Sequence, residues 1–302
     1  MDDSQYSRLV RQASLLATII AITLLVIKSA AYLLTGAVSI LASQVDSLMD
    51  IGISVVNLLA IRYALRPPDA EHRFGHGKVE PLAGLLQAGF ICGTAIILLY
   101  TGIAAVWTPK PLVQTSVGLL VMAISTVLTL LLIFYQLYTV RRTGNSVIKA
   151  DSLHYSIDIL MNLAVMVALV LDRIGWWWAD GLFTIAIALY IFRGAWSIGF
   201  EAFQHLLDRE LDDDFKDEIV ATVEAVDGIQ GTHDLRTRQS GQIIFIQIHI
   251  ELDDNLPLIQ AHAIAERVEQ QLKSRWPKSD ILIHQDPLSV IGKEPSLDFQ
   301  TT

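Results

Sequence analysis

Residues 150 to 159 read ADSLHYSIDI, and they lie inside an apolar run from 147 to 171. His154 and Asp158 are four residues apart, so a helix places both on one face, with Asp151 near the start of the same polar stripe. An ionisable side chain well inside a bilayer costs at least ~2.5 kcal/mol unless it faces protein or water. The stretch therefore predicts a membrane helix that carries a functional site.

The apolar run from 40 to 64 repeats this arrangement, because it also carries two ionisable residues four positions apart. The candidate ligands of the two runs are Asp46, Asp50, His154 and Asp158. Three carboxylates and one imidazole cannot neutralise one another as ion pairs, but they form an oxygen and nitrogen set that suits a tetrahedral divalent ion. The alternative is that they only make hydrogen bonds between packed membrane helices.

Six apolar runs are long enough to cross a hydrocarbon core of roughly 30 Å as helices. Hydrophobic residues make up 52% of the chain, above the roughly 45–50% of a soluble domain, and the mean hydropathy is +0.46. We therefore expect a membrane α-helical domain of six transmembrane helices over 1 to 208 and a cytoplasmic α+β domain over 209 to 302. The runs are 13 to 36, 40 to 64, 80 to 106, 115 to 140, 147 to 171 and 179 to 206.

The short connections between the runs differ in charge, and Lys and Arg accumulate on the cytoplasmic side of membrane proteins. One side holds only Lys110 and Arg173. The other side holds Arg8, Arg11, Arg66, Arg73, Lys78, Arg141, Arg142 and Lys149. Both termini are therefore predicted to be cytoplasmic.

The tail is acidic: residues 209 to 302 contain 9 Lys and Arg against 18 Asp and Glu, whereas the rest of the chain has 13 of each. An acidic domain attracts cations and repels nucleic acid, which argues against nucleic acid as a partner. The single cysteine, Cys92, excludes an intrachain disulfide and a Cys-rich zinc site.

The tail predicts the element order αββαβ. Alternation from Ile243 to Glu251 is typical of a half-buried strand, with isoleucines on one face and Phe245, Gln247, His249 and Glu251 on the wet face. The other predicted elements are a helix that begins after Asp212, a strand from His233 to Arg238, a helix from Leu258 to Lys273 and a strand from Asp280 to His284.

Two further groups of metal-ligating residues lie outside the apolar runs. The loop between the second and third runs holds Asp69, His72 and His76 within eight residues, and Gly75 and Gly77 allow a sharp turn there. The tail group is His233, His249, His262, His284 and Asp286. The alternative for both groups is a set of solvated surface histidines that bind nothing.

Several longer motifs accompany these residues. They are FGHGK at 74 to 78, ADSLHY at 150 to 155, LLDR at 206 to 209, HDLRTR at 233 to 238 and IHQDP at 283 to 287. With the six spans, the paired ionisable residues and the acidic tail, they resemble the cation diffusion facilitator family. The similarity runs along nearly the whole chain.

The resemblance assigns roles to the candidate residues. It implies that Asp46, Asp50, His154 and Asp158 form the transport site and that Asp69, His72 and His76 form a loop site. It implies that His233, His249, His262, His284 and Asp286 form a binuclear site, with Gln285 a candidate minor contributor. That site would stabilise a homodimer of metallochaperone-like cytoplasmic domains.

We therefore expect a secondary transporter, and no enzyme, in the bacterial inner membrane that exports divalent cations from the cytoplasm in exchange for protons. Zn²⁺ is the expected cargo and structural ion, with Cd²⁺, Fe²⁺ and Co²⁺ as alternatives. The sequence has no Walker-type nucleotide motif. The competing hypotheses are an intramembrane metalloenzyme, for which the sequence lacks His-Glu-x-x-His, and a passive channel or a metal sensor.

Overall fold

The structure is a computed structural model that describes residues 3–35, 38–107, 116–172 and 179–291. Packing of the backbone divides the chain into two compact units, Met1–Phe203 and Gln204–Thr302. The predicted domain boundary between 208 and 209 stays a prediction.

Six long helices form the first unit within the described residues, as the apolar runs predict. They are α1 (Asp3–Thr35), α2 (Val38–Ala64), α3 (Val79–Trp107), α4 (Ser116–Thr143), α5 (Ser146–Asp172) and α6 (Ala179–Leu206). Four described segments are long and apolar enough to cross a membrane: Ser4–Ala31, Val79–Trp107, Ala123–Thr143 and Gly181–Leu206. The two remaining helices, α2 and α5, are those that carry the predicted intramembrane ligands.

The first helix begins at Asp3, well before the apolar run that starts at 13. Its first turns bury Tyr6 and Val10, which belong to a cluster with Ile61 and Ile148. Polar residues lie between them in the sequence, so this apolar face does not form a continuous apolar run. The helix therefore extends beyond the length that hydropathy alone predicts.

Helices α2 and α5 lie among the other helices of this unit. Helix α1 packs against α2 and α4, and α5 packs against α3 and α4. Ala13, Ala17 and Ala21 are all buried at four-residue spacing on α1, and small side chains let membrane helices approach closely. Tyr155 of α5 is 1% exposed and packs in a cluster with α1 and α4. The His154 side chain is only 13% exposed, so the ligand-bearing part of α5 also lies inside the bundle.

The second unit has the predicted order αββαβ. Its elements are α7 (Asp213–Glu224), β1 (Gly231–Ser240), β2 (Ile243–Leu252), α8 (Leu258–Arg275) and β3 (Ser279–Pro287). The sheet order is β1-β2-β3, with β1 antiparallel and β3 parallel to β2. A parallel neighbour requires a crossover connection, which α8 supplies.

The hydrophobic core of this unit lies between one face of the sheet and the two helices. Ile246, Ile248 and Ile250 of β2 are at most 1% exposed and pack with Val223 of α7 and Val268 of α8. Since side chains alternate along a strand, the intervening residues point to the opposite face. That opposite face carries the histidines.

Phe245 corrects one detail of the sequence prediction, which placed it on the wet face of β2. It is only 6% exposed. The guanidinium carbon of Arg238, on the neighbouring strand, lies 4.2 Å from the centre of its ring. A cation over an aromatic face is a favourable contact, and it covers the ring without placing it in the core.

Candidate metal sites

The intramembrane site brings α2 and α5 together through two predicted ligands. Nε2 of His154 lies 3.0 Å from Oδ1 of Asp50, and both side chains are nearly buried. Asp158 follows His154 by one turn of α5, so the two residues lie on the same helix face. The side chain of Asp46 lies outside the described part of the structure. Three of the four predicted ligands are thus described, and two of them are in contact.

Two other charged residues of the apolar runs have local partners. Nζ of Lys28 donates to Oγ of Ser47 at 2.7 Å. Glu201 forms an ion pair with Lys149, near the start of α5. We assign neither of them to a metal site.

The loop brings its three predicted ligands together. Oδ1 of Asp69 accepts the backbone N–H of His72 at 2.7 Å and that of Glu71 at 3.0 Å. Nδ1 of His72 lies 3.4 Å and Nε2 of His76 lies 3.3 Å from the same carboxylate. One ligand atom from each residue falls within 4.8 Å of the others. Gly75 has a φ of +80°, the left-handed conformation that the predicted sharp turn favours.

The electrostatics of the loop suit cation binding. The backbone N–H of His72 lowers the pKa of the Asp69 carboxyl, with a further hydrogen bond from Glu71 and the nearby imidazoles acting in the same direction. Asp69 therefore stays ionised to a lower pH than a free aspartate. His76 is buried, and its Nδ1 has no hydrogen-bond partner among the described residues. The three residues can offer one carboxylate and two imidazoles to a divalent ion.

The tail site is built by the register of the sheet. His233 pairs with His249 across β1 and β2, and His249 pairs with His284 across β2 and β3, so the three histidines form one row. Asp286 lies in the next row on the same face. The Asp286 carboxylate therefore stands beside all three imidazoles.

The interatomic distances show that Asp286 contacts all three histidines of the row. Its Oδ2 lies 2.7 Å from Nδ1 of His249 and 3.4 Å from Nε2 of His233, and its Oδ1 lies 3.1 Å from Nε2 of His284. Ligand atoms of His233, His249 and Asp286 converge within 4.8 Å. The Asp286 side chain is 11% exposed, so its charge is largely shielded from solvent.

Two predicted members of the tail group lie elsewhere in the unit. His262 is exposed on α8, with its Nε2 3.5 Å from Oε1 of Glu266, and it is not part of the converging set among the described residues. Gln285 faces away from His284 and Asp286, because neighbouring strand residues alternate. Both stay predictions as contributors to metal binding.

Two acidic residues near the tail site were missed by the sequence prediction. Oε1 of Glu251 lies 3.0 Å from Nδ1 of His233. Oδ2 of Asp234 lies 3.7 Å from Nε2 of His249, and Arg236 holds the Asp234 carboxylate with two hydrogen bonds. The sequence did carry a signal for Glu251, since it follows His249 by two positions on one strand face.

Glu251 has the position of a residue that orients a metal ligand. A carboxylate that accepts the Nδ1–H of a histidine fixes its tautomer and leaves Nε2 free to bind an ion. Gly231 is its partner in the antiparallel ladder, and a Cβ at that position would collide with the Glu251 carboxylate. Glycine there makes room for the contact with His233.

Glu251→Gln is therefore expected to weaken zinc binding by the tail site by about tenfold, because loss of an orienting partner typically costs 10–100-fold in metal affinity. A chelator-competition titration of the full-length protein measures the change. The control is Glu269→Gln, which makes the same chemical change on the exposed surface of α8. Equal affinities for the two variants would show that Glu251 does not orient His233.

Comparison with known proteins identifies the chain. Its residues 14–207 match the cation efflux transmembrane domain, and residues 211–288 match the cytoplasmic domain of cation efflux proteins. The chain therefore belongs to the cation diffusion facilitator, or cation efflux, family, as its motifs indicate. It is a multi-pass membrane protein and a cation efflux pump that exports metal cations.

Individual relatives resemble the chain over nearly its full length. The cation-efflux pump FieF of Citrobacter koseri is 51% identical over 289 residues, which cover 96% of both chains. FieF of Cronobacter sakazakii is 52% identical over 295 residues and 98% of both chains. Among solved structures, a nickel form of the MamM CTD is 26% identical with a TM-score of 0.24, covering 25% of this chain and 98% of that one.

Proposed function

We propose that this pump exports Zn²⁺ from the cytoplasm across the bacterial inner membrane in exchange for protons. The observation that carries the proposal is the 3.0 Å contact between Asp50 and His154 inside the bundle. Metal ligation needs a deprotonated carboxylate and a neutral imidazole, so a proton and a metal ion compete for the same lone pairs. Competition at one site is what an exchange mechanism requires.

Proton uptake by this site would return it to the inward-facing state after the metal has left. In this proposal, protons take the place of the metal ion at the ligand atoms once the metal has left. If α2 and α5 open alternately to the two sides, inward protons drive outward metal without a nucleotide. The basic connections on one side support cytoplasmic termini.

Zinc is the proposed cargo because the donor set combines carboxylate oxygens and one imidazole, which suit a tetrahedral ion. The same donors accept Cd²⁺, Fe²⁺ and Co²⁺. We propose Zn²⁺ also as the structural ion of the loop and tail sites, whose His and Asp ligands have the same chemistry. The match to the cytoplasmic domain of the family supports a homodimer formed through this domain.

Purified protein in liposomes loaded with a pH-sensitive dye tests this function. We expect saturable zinc uptake accompanied by proton movement in the opposite direction, with Cd²⁺, Fe²⁺ and Co²⁺ as weaker competitors. A channel would conduct zinc without saturation and without proton counterflow, and a sensor would move no metal. Zinc uptake that ignores the pH gradient would overturn the proton coupling.

A further inference from the structure

A second buried carboxylate lies next to the intramembrane site on α5. Asp151 is 1% exposed, and three side-chain amides donate hydrogen bonds to it. Nδ2 of Asn57 and Nε2 of Gln87 reach Oδ1 at 3.0 and 3.4 Å, and Nε2 of Gln136 reaches Oδ2 at 2.6 Å. A buried charge is tolerated only when such donors surround it. Both oxygens of Asp151 are thus already engaged.

The three donors come from three different helices. Asn57 lies on α2, Gln87 on α3 and Gln136 on α4, and all are at most 6% exposed. One carboxylate of α5 therefore joins four helices of the bundle. Hydrogen bonds to a charged acceptor are roughly twice as strong as those between neutral groups, and they fix geometry as well.

This cluster continues the line of contacts that begins at the proposed transport site. Asp50 meets His154, then Ser54 Oγ meets the Tyr155 hydroxyl at 3.1 Å, and then Asn57 meets Asp151. Asp151 precedes His154 by three residues, so the two are neighbours on the α5 surface. A rotation of α5 that breaks the amide contacts also moves His154 away from α2.

We propose that Asp151 is a positioning residue for the transport site, and this rests on the proposed function. Its amide contacts fix the rotation of α5 against α2, so that Nε2 of His154 meets Asp50. Asp151 is not a ligand itself, since its oxygens accept three N–H donors. Asn57, Gln87 and Gln136 share this role through it.

An exchange of functional groups between two partners tests the positioning role. In Asp151→Asn, the Gln136 amide can turn so that its Oε1, which has no hydrogen-bond partner among the described residues, accepts from the new amide; the three contacts then remain and only the charge of the acceptor is lost. In Gln136→Glu, two carboxylates face each other. In the double variant, residue 151 accepts from Asn57 and Gln87 and donates to the carboxylate at 136, so every contact is restored with the direction of one reversed.

The zinc KM in proteoliposomes is the readout, because KM does not depend on how much protein is active. Gln136→Glu is expected to raise KM by about tenfold, because a charge-assisted buried hydrogen bond is replaced by two facing carboxylates, whereas Asp151→Asn is expected to raise KM by only about threefold. The double variant is expected to return KM to within about twofold of the unchanged protein, which a double-mutant cycle quantifies as coupling. A double variant with the same KM as Gln136→Glu would overturn the proposal.

One control and one milder variant separate positioning from general destabilisation. Thr139→Val is the control: it removes a buried hydroxyl one turn from Gln136 on α4 whose hydrogen bond, within the described residues, goes to the Tyr135 carbonyl at 3.0 Å, and it is expected to leave KM unchanged. If a single variant does not fold, Asn57→Ser removes only the α2 donor, and about a threefold rise in KM is expected. An unchanged KM for Asn57→Ser would overturn the proposal.

His154→Ala separates this inference from the proposed function. Zinc transport by His154→Ala at the normal rate would show that the transport site lies elsewhere. If His154→Ala is inactive but the double variant does not recover the zinc KM, the transport-site assignment is supported and only the positioning role of Asp151 is refuted.

Discussion

Asp50→Ala is expected to abolish zinc-driven proton flux in proteoliposomes while leaving dimerisation unchanged. The variant removes the carboxylate that meets His154 at 3.0 Å, and in the proposed mechanism this carboxylate binds the metal ion and the proton in turn. Flux should fall to that of empty liposomes, measured with a pH-sensitive dye after a zinc pulse. Size-exclusion chromatography with light scattering checks the dimer.

Ser54→Ala is the matched control for this variant. Ser54 lies one turn after Asp50 on the same face of α2, is 1% exposed, and bonds to the Tyr155 hydroxyl at 3.1 Å. Its loss removes one neutral hydrogen bond between α2 and α5 while the ligands and the amide contacts of Asp151 remain, so zinc flux should be largely retained. Normal flux in Asp50→Ala would refute the site assignment, whereas loss of flux in both variants would indicate that helix packing is responsible.

The helices and strands were predictable because their signals are local. An apolar run of about 20 residues has few alternatives to a membrane helix, and strict alternation such as that around His249 has few alternatives to a strand. The exceptions are places where a partner distant in sequence decides burial. Phe245 is covered by Arg238 of another strand, and Tyr6 is buried by helices that follow it much later in the chain.

The candidate ligands were predictable to different degrees for the same reason. Asp69 and His72 meet within one turn of chain, so their spacing was sufficient. The row of His233, His249 and His284 depends on the pairing of three strands, including a parallel pair joined through α8. The sequence identified those histidines as candidates, but the strand register is needed to show that the Asp286 carboxylate contacts all three.

The polar contacts that support the ligands were the hardest to foresee. Gln87 and Gln136 are 49 positions apart and lie in two different apolar runs. No sequence motif connects either of them with Asp151. Their meeting depends on the rotation of α3 and α4 within the bundle. A search for amide side chains in otherwise apolar spans would have found them, since such groups need buried partners.

Asp286→Ala is expected to remove high-affinity metal binding from the tail. Its carboxylate contacts His249 at 2.7 Å, His284 at 3.1 Å and His233 at 3.4 Å, so no other described side chain in this unit joins all three imidazoles. Without it the histidines keep their row, but they lose the anionic ligand that offsets the charge of a divalent ion. Zinc affinity should fall by about 100-fold, the upper end of effects at supporting positions.

Asp280→Ala tests whether this loss is specific, because Asp280 lies on the same strand but is exposed and outside the converging set. Calorimetric zinc titration of the full-length protein should show one class of sites missing in Asp286→Ala and all classes present in Asp280→Ala. If tail zinc stabilises the homodimer, Asp286→Ala should also dissociate at higher protein concentration, and a chelator should produce the same shift in the unchanged protein. Dimers that resist both treatments would mean that the strand and helix contacts of this domain hold the two copies together without the ion, and that the row of histidines serves another purpose.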